Sequence, residues 1–246
     1  MSTEPIVLFD LDGTLLDPGG AITGGIAAAI EAHGFARPDD ATLRKFVGPS
    51  SLEGLERHTD IPFEQHRAIV ETYREQYPQR ARELSSVYEG VHELLEDLSA
   101  LPVRLAIATQ KPQPSAERIV GEFGLTRYFH AISGARDDRW EESAALPTDK
   151  PGIVARALEL LGAAGRDLAG AAVMIGDREY DAAGAAANGI PCIGVTWGFG
   201  SAEELAGAGA RPVVDDVEGL RSAIAELTGL RGLAPARQSG RPPGTG

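Results

Sequence analysis

Residues 6–17 read Ile6-Val7-Leu8-Phe9-Asp10-Leu11-Asp12-Gly13-Thr14-Leu15-Leu16-Asp17. The run Ile6 to Phe9, three of its four residues β-branched or aromatic, matches a short strand buried on both faces. It stops at a pair of carboxylates. Because strand residues alternate, Asp10 and Asp12 leave the strand end on the same side, with Leu11 turned away. Gly13 permits a sharp turn or a close approach, and Thr14 can hydrogen-bond across that turn. Carboxylates this close repel each other unless a cation sits between them, and a hard divalent ion such as Mg2+ meets that need. A solvated acidic turn is the alternative, and the downstream residues decide between the two.

Working outward, the 246 residues are enough for one large domain or for a core with a smaller insert, and 43% hydrophobic with 24% charged residues fits an ordinary globular protein. The net charge is −13, and residues 231–246 hold three arginines and no acid, so residues 1–230 carry −16. So acidic a body is a poor partner for nucleic acid or an anionic membrane. An anionic substrate must then be met by local cations. Cys192 is the single cysteine, which rules out a disulfide within the chain and fits a reducing cytoplasm. The start Met-Ser-Thr-Glu-Pro has no secretory pattern and no apolar run is long enough to span a bilayer, so the expected location is cytoplasmic. Lysine is scarce beside arginine, with Lys45, Lys111 and Lys150 its only positions.

After Asp17-Pro18-Gly19-Gly20 the periodicity turns helical, with segments expected near Ala21–His33, Asp40–Phe46, Ser50–Arg57 and Phe63–Gln79. No strand is expected between Gly20 and Ser85. An all-helical stretch after the first strand suggests a small separate unit. From Gly90 helices and strands alternate, with strands expected at Val103–Ala108, His130–Ser133, Ala171–Ile175, Cys192–Val195 and Pro212–Val214. Such alternation implies an α/β fold with a parallel sheet covered by helices on both faces, and sites at the carboxyl ends of its strands. The expected division is 1–17 core, 18–86 helical insert, 87–230 core and 231–246 disordered tail.

Other strand ends bring complementary groups. Thr109 follows the strand Val103–Ala108, where a hydroxyl and free N–H groups can hold phosphate oxygens, or where it is simply a strand-end hydroxyl. Lys150 sits at a helix start, where its charge costs a few tenths to about 1 kcal/mol unless an anion faces it. Asp177 and Asp181, at i and i+4, are expected on one face of the first turn of a helix over Tyr180–Asn188. A shared metal explains their repulsion, with N-capping by Asp177 as the alternative. Lys111 reads as a surface cation or a substrate contact, as do Arg44, Lys45 and Arg178. Trp197 and Phe199 read as packing against the insert or as stacking on a base.

Asp10-Leu11-Asp12-Gly13-Thr14, Thr109, Lys150-Pro151 and Gly176-Asp177 to Asp181 occur in the order of four motifs of the haloacid dehalogenase-like superfamily, which the chain resembles over residues 5–225. The resemblance implies a Rossmann-like core whose helical insert is a cap over the active site. It also implies a phosphatase in which Asp10 is the nucleophile, Asp12 the acid and base, and Thr109 and Lys150 stabilise the phosphoryl group. Mg2+ would be held by Asp10, the backbone carbonyl of Asp12, Asp177 and Asp181. An aspartate at position 12 argues for phosphoryl chemistry over dehalogenation. Details such as Phe46 to Ser51 and Trp197 to Leu205 resemble the branch of phosphoglycolate phosphatases and 5'-nucleotidases. There Gly48, Ser50 and Gln110 would meet substrate, Gly48-Pro49-Ser50 being otherwise a plain helix-helix turn. The expected partner is a small phosphorylated metabolite, with no nucleic acid and no membrane, bound by a monomer or homodimer. Rival readings are a phosphonate-cleaving enzyme, with Lys45 as its Schiff-base lysine, a phosphomutase and a non-catalytic binding protein.

Overall fold

The computed structural model describes residues 4–137 and 144–233. The chain runs β1 (Ile6–Phe9), β2 (Leu16–Asp17), α1 (Ala21–Ala32), α2 (Asp40–Arg44), α3 (Ser51–His58), α4 (Phe63–Leu84), β3 (Ser86–Val87), α5 (Val91–Ser99) and β4 (Arg104–Pro112). It continues with α6 (Gln113–Glu122), β5 (Ala131–Ala135), α7 (Lys150–Leu160), β6 (Ala172–Gly176), α8 (Glu179–Ala187), β7 (Cys192–Val195), α9 (Ala202–Gly207), β8 (Val213–Val214) and α10 (Val217–Thr228). Six strands form a parallel sheet in the order β5-β4-β1-β6-β7-β8, which puts β1 between β4 and β6.

The alternation of β1 explains its central place. Val7 and Phe9 enter one apolar core, with residues of α5, α6 and α10, while Ile6 and Leu8 enter the other, with α7, α8 and α9. Each of the four is at most 1% exposed, which contributes about 1.5–3 kcal/mol per side chain. The result is a three-layered α/β architecture.

Between β2 and β3 the described chain forms only the helices α1 to α4, and the two short strands pair antiparallel at the point where the chain leaves the core and returns. Two-residue strands carry no periodicity, and neither was expected. Helix α4 runs five residues past the expected end at Gln79 with Pro78 inside it. Tyr73 and Tyr77 of α4 and Ile22 and Ile26 of α1 join the same apolar core as Phe9, so the helical segment packs directly on the sheet layer. Strand β4 also outruns its expected end at Ala108. Its register with β5 shifts between Ala108↔Ser133 and Pro112↔Ala135, where four steps along β4 match two along β5. The surplus falls on Thr109, Gln110 and Lys111, and an irregularity of this kind re-aims side chains. Of the expected tail, Leu233 packs partly buried against the core and residues 234–246 lie outside the described residues.

Candidate active site

The carboxyl ends of β1, β4 and β6 meet below the helical segment, and the charged side chains of the site converge there. Asp10 directly follows β1, its N–H donating to the carbonyl of Ile175 at 2.9 Å. Lys150 is the first residue of α7, whose N-cap Asp149 accepts from the Gly152 N–H. Its side chain is 4% exposed, and its Nζ lies 2.6 Å from Asp10 Oδ1 and 2.6 Å from Asp181 Oδ1. Burial alone would pull the ammonium down, yet Asp10 and Asp181 hold it well above the ordinary lysine value. The unfavourable placement at a helix start is thereby offset by two anions.

Asp181 is in the first turn of α8 and accepts from the Arg178 N–H at 3.0 Å. Asp177 does not share that turn. The helix begins at Glu179 with Arg178 at the N-cap, so Asp177 belongs to the turn leaving β6, and neither the expected i, i+4 helical face nor N-capping by Asp177 is what forms. Asp177 is held by Thr14 Oγ1 at 3.3 Å and by the Phe199 N–H at 2.8 Å. Glycines make this crowding possible: a Cβ on Gly13, whose φ is +91°, would sit 2.2 Å from Asp177 Oδ2, and one on Gly176 would sit 2.0 Å from Asp181 Cγ.

One oxygen each from Asp10, Asp177 and Asp181 lie within 4.8 Å of one another, all buried. Burial and the neighbouring carboxylates push Asp177 well above the ordinary aspartate value, and burial pushes Asp181 up to about 6. One ammonium cannot neutralise three buried carboxylates, and Asp181 Oδ1 has no aligned hydrogen-bond donor although Lys150 lies close. A hard divalent cation fits these donors. The Asp12 carboxylate stands outside the cluster, with its Oδ2 2.7 Å from Lys111 Nζ. Burial raises the Asp12 carboxyl and Lys111 pulls it back, as suits a group that gives and takes a proton.

A cavity of about 270 Å³ opens over Asp10 and Asp12. Thr109, Gln110 and Lys111 line its core side, while Phe46, Gly48, Ser50, Tyr73 and Tyr77 line it from the helical segment. Thr109 is 2% exposed, and its Oγ1 accepts from the Lys111 N–H at 3.2 Å, which leaves the hydroxyl proton for another acceptor. Ser50 Oγ accepts from the Glu53 N–H at 3.2 Å and so caps α3 while facing the cavity.

Against this geometry, residues 7–195 match the family model described as haloacid dehalogenase-like hydrolase. The chain belongs to the haloacid dehalogenase-like hydrolases. It is 38% identical over 198 residues to the tyrosine-protein kinase PtkA of Mycobacterium tuberculosis, covering 80% of this chain and 64% of that protein, so this hydrolase spans less than two thirds of that relative. It is 37% identical over 203 residues to a 5'-nucleotidase of Pseudomonas aeruginosa, covering 82% of this chain and 86% of the relative. Among solved structures, a "predicted phosphatase" from Clostridium acetobutylicum superposes with a TM-score of 0.80 at 35% identity, covering 92% of this chain and all of that one.

Some residues of this hydrolase differ from their expected places. Lys111 is no surface cation: its side chain is 6% exposed, and Nζ donates to Tyr77 Oη at 2.7 Å besides facing Asp12. Arg178 pairs with Glu204 at 2.8 Å and donates to the Val47 carbonyl, tethering the loop before Gly48 to the core. Arg44 lies over the Phe199 ring at 5.1 Å, and Trp197 donates to the Thr14 carbonyl at 3.1 Å and packs near Tyr88. Lys45 is exposed and does not line the cavity, which leaves a Schiff-base lysine from the helical segment without support. The scarcity of lysine was the only sequence signal that singled out Lys111.

Proposed function

We propose that this hydrolase is a Mg2+-dependent phosphatase that cleaves a small phosphate monoester, of the phosphoglycolate or nucleoside 5'-monophosphate type, through an aspartyl-phosphate on Asp10. The observation that carries this reading is the Lys150 ammonium between Asp10 and Asp181, beside a three-carboxylate cluster and under a small closed-in cavity. Mg2+ bound by Asp10, Asp177, Asp181 and the Asp12 carbonyl would supply the charge neutralisation that lets an anionic nucleophile approach an anionic phosphate.

The chain's own residues do the rest. Lys150 orients Asp10 and screens its charge while a carboxylate oxygen bonds to phosphorus and the ester bond breaks. The bond's electron pair leaves on the ester oxygen, which takes the proton of Asp12. Asp12, now a carboxylate, takes a proton from the water that hydrolyses the aspartyl-phosphate and regains its starting form. Thr109 donates its free hydroxyl proton to a phosphoryl oxygen. The segment over α1 to α4 acts as a cap that keeps bulk water out and sets the size of the leaving group, with Gly48, Ser50 and Gln110 as substrate contacts. A cavity of about 270 Å³, lined from both the core and the helical segment, suits a small metabolite. The buried free Cys192 and the absence, among the described residues, of a helix long and apolar enough to cross a membrane support a cytoplasmic location.

The test is phosphate release from 2-phosphoglycolate, nucleoside 5'-monophosphates, sugar phosphates, pyrophosphate and acetyl phosphate, in Mg2+ and in EDTA, beside Asp10→Asn. Metal-dependent turnover of one class that vanishes in the folded variant is expected. Turnover unchanged by EDTA or retained in Asp10→Asn overturns the mechanism.

A further inference from the structure

We infer that Lys111 and Tyr77 form a positioning pair that aims the Asp12 carboxyl at the leaving oxygen, and that the pair exists only while the helical segment is docked on the core. The inference rests on the phosphatase reading and adds to it a residue from the insert that acts on the acid. Lys111 belongs to β4 and Asp12 to the loop that follows β1, both in the core, and Tyr77 belongs to α4. Lys111 Nζ lies 2.7 Å from Asp12 Oδ2 and 2.7 Å from Tyr77 Oη, with the ammonium 4.5 Å from the centre of the Tyr77 ring. Tyr77 is 4% exposed and the Lys111 side chain 6%. Lys111 lies in the stretch of β4, between Ala108 and Pro112, where the register with β5 shifts.

Each contact has a distinct consequence. An ammonium in a nearly closed pocket loses hydration, so it must keep its partners or move to water. The Tyr77 oxygen and ring face replace that hydration, and burial keeps the phenol neutral by raising it well above its ordinary value. Anchored in this way, Lys111 fixes one oxygen of Asp12. When Asp12 gives its proton to the ester oxygen, the charge left on its carboxylate develops directly against the ammonium, which makes proton donation more favourable. Undocking of α4 would remove Tyr77, hydrate Lys111 and release Asp12 from its aim. Acid catalysis is thereby confined to the closed state.

Leaving-group chemistry separates positioning of an acid from general structural support. The alkyl phosphate of the panel that the wild type cleaves fastest needs a proton on its leaving oxygen, whereas acetyl phosphate expels acetate without one. In the full chain with Mg2+, Lys111→Met should lower kcat/KM on the alkyl ester by roughly 100-fold and on acetyl phosphate by less than about 5-fold. Tyr77→Phe, which keeps the ring and its packing, should lower the alkyl reaction alone by about 5-fold, the effect of one lost hydrogen bond. Equal losses on both substrates, no loss on either, or a rise in KM with kcat unchanged would overturn the inference, the last by making Lys111 a substrate contact. A wild type that cleaves neither compound would overturn the phosphatase reading first.

Discussion

Raising the pH of the metal-free protein from 4.5 to 7 strips protons from a cluster that one lysine cannot neutralise. Asp181 is 2% exposed, and burial holds its carboxyl at about 6 against an ordinary 3.8. A carboxyl that binds its proton more tightly when folded stabilises the protein fully below its unfolded value, and that stabilisation is lost as pH rises through the folded value. The whole shift corresponds to about 3 kcal/mol, of which about 2 kcal/mol disappears between pH 4.5 and 7. Asp177 is displaced in the same direction and adds to the loss. For a chain of this size the Asp181 share alone is about 4–8 °C of Tm. The assay is calorimetry in EDTA across this range, beside Asp181→Asn, which has no proton to lose and should show a flatter slope by that amount. Mg2+ requires the ionised carboxylates, so the Tm gained on adding it should grow from pH 4.5 to 7. Equal slopes for wild type and Asp181→Asn in EDTA, or Mg2+ that stabilises no more at pH 7 than at 4.5, would refute the reasoning.

Two further variants probe how the site is held. In Gly198→Ala the new Cβ would stand 2.3 Å from Asp177 Oδ2 and 2.4 Å from the Gly13 carbonyl, so Asp177 must shift, and Mg2+ affinity by titration calorimetry should fall roughly 10- to 100-fold with the fold intact by circular dichroism. Arg178→Ala removes the Glu204 pair and the donor to the Val47 carbonyl, so amide exchange should accelerate around Phe46 to Ser50, with KM rising more than kcat falls.

Much of this hydrolase was legible because its acids are local. Asp10 and Asp12 follow a strand whose burial on both faces can be read from four residues, and Gly176-Asp177 follows another. The regular core strands and helices were legible for the same reason, since period and breakers decide them within a few residues. What escaped was long-range or very short. The Lys111–Tyr77 contact joins residues 34 apart in the chain, and no property of either predicts the other. The two-residue strands β2 and β3 show no alternation, and Pro78 inside α4 gave no sign of the helix beyond it. Arg178 read as a surface cation or a substrate contact because its partners, Val47 and Glu204, are far away in sequence.

Three of the contacts between the helical segment and the core share one property. Lys111, which meets Tyr77, also holds Asp12. Arg178, which meets Val47, gives its N–H to Asp181. Phe199, which carries Arg44 on its ring, gives its N–H to Asp177. Each tie thus ends on a residue that fixes a carboxylate of the site, and three carboxylates are served by three separate ties. A segment that merely covered the cavity would need no such coincidence, since any surface of the core would anchor it equally well. With the roles proposed above, anchors placed on the supports of the acid and metal-ligand positions would make docking and assembly of the site one equilibrium. Substrate that favours the docked state would then also complete the site, and a leaving group too large for the cavity would forfeit catalysis as well as binding.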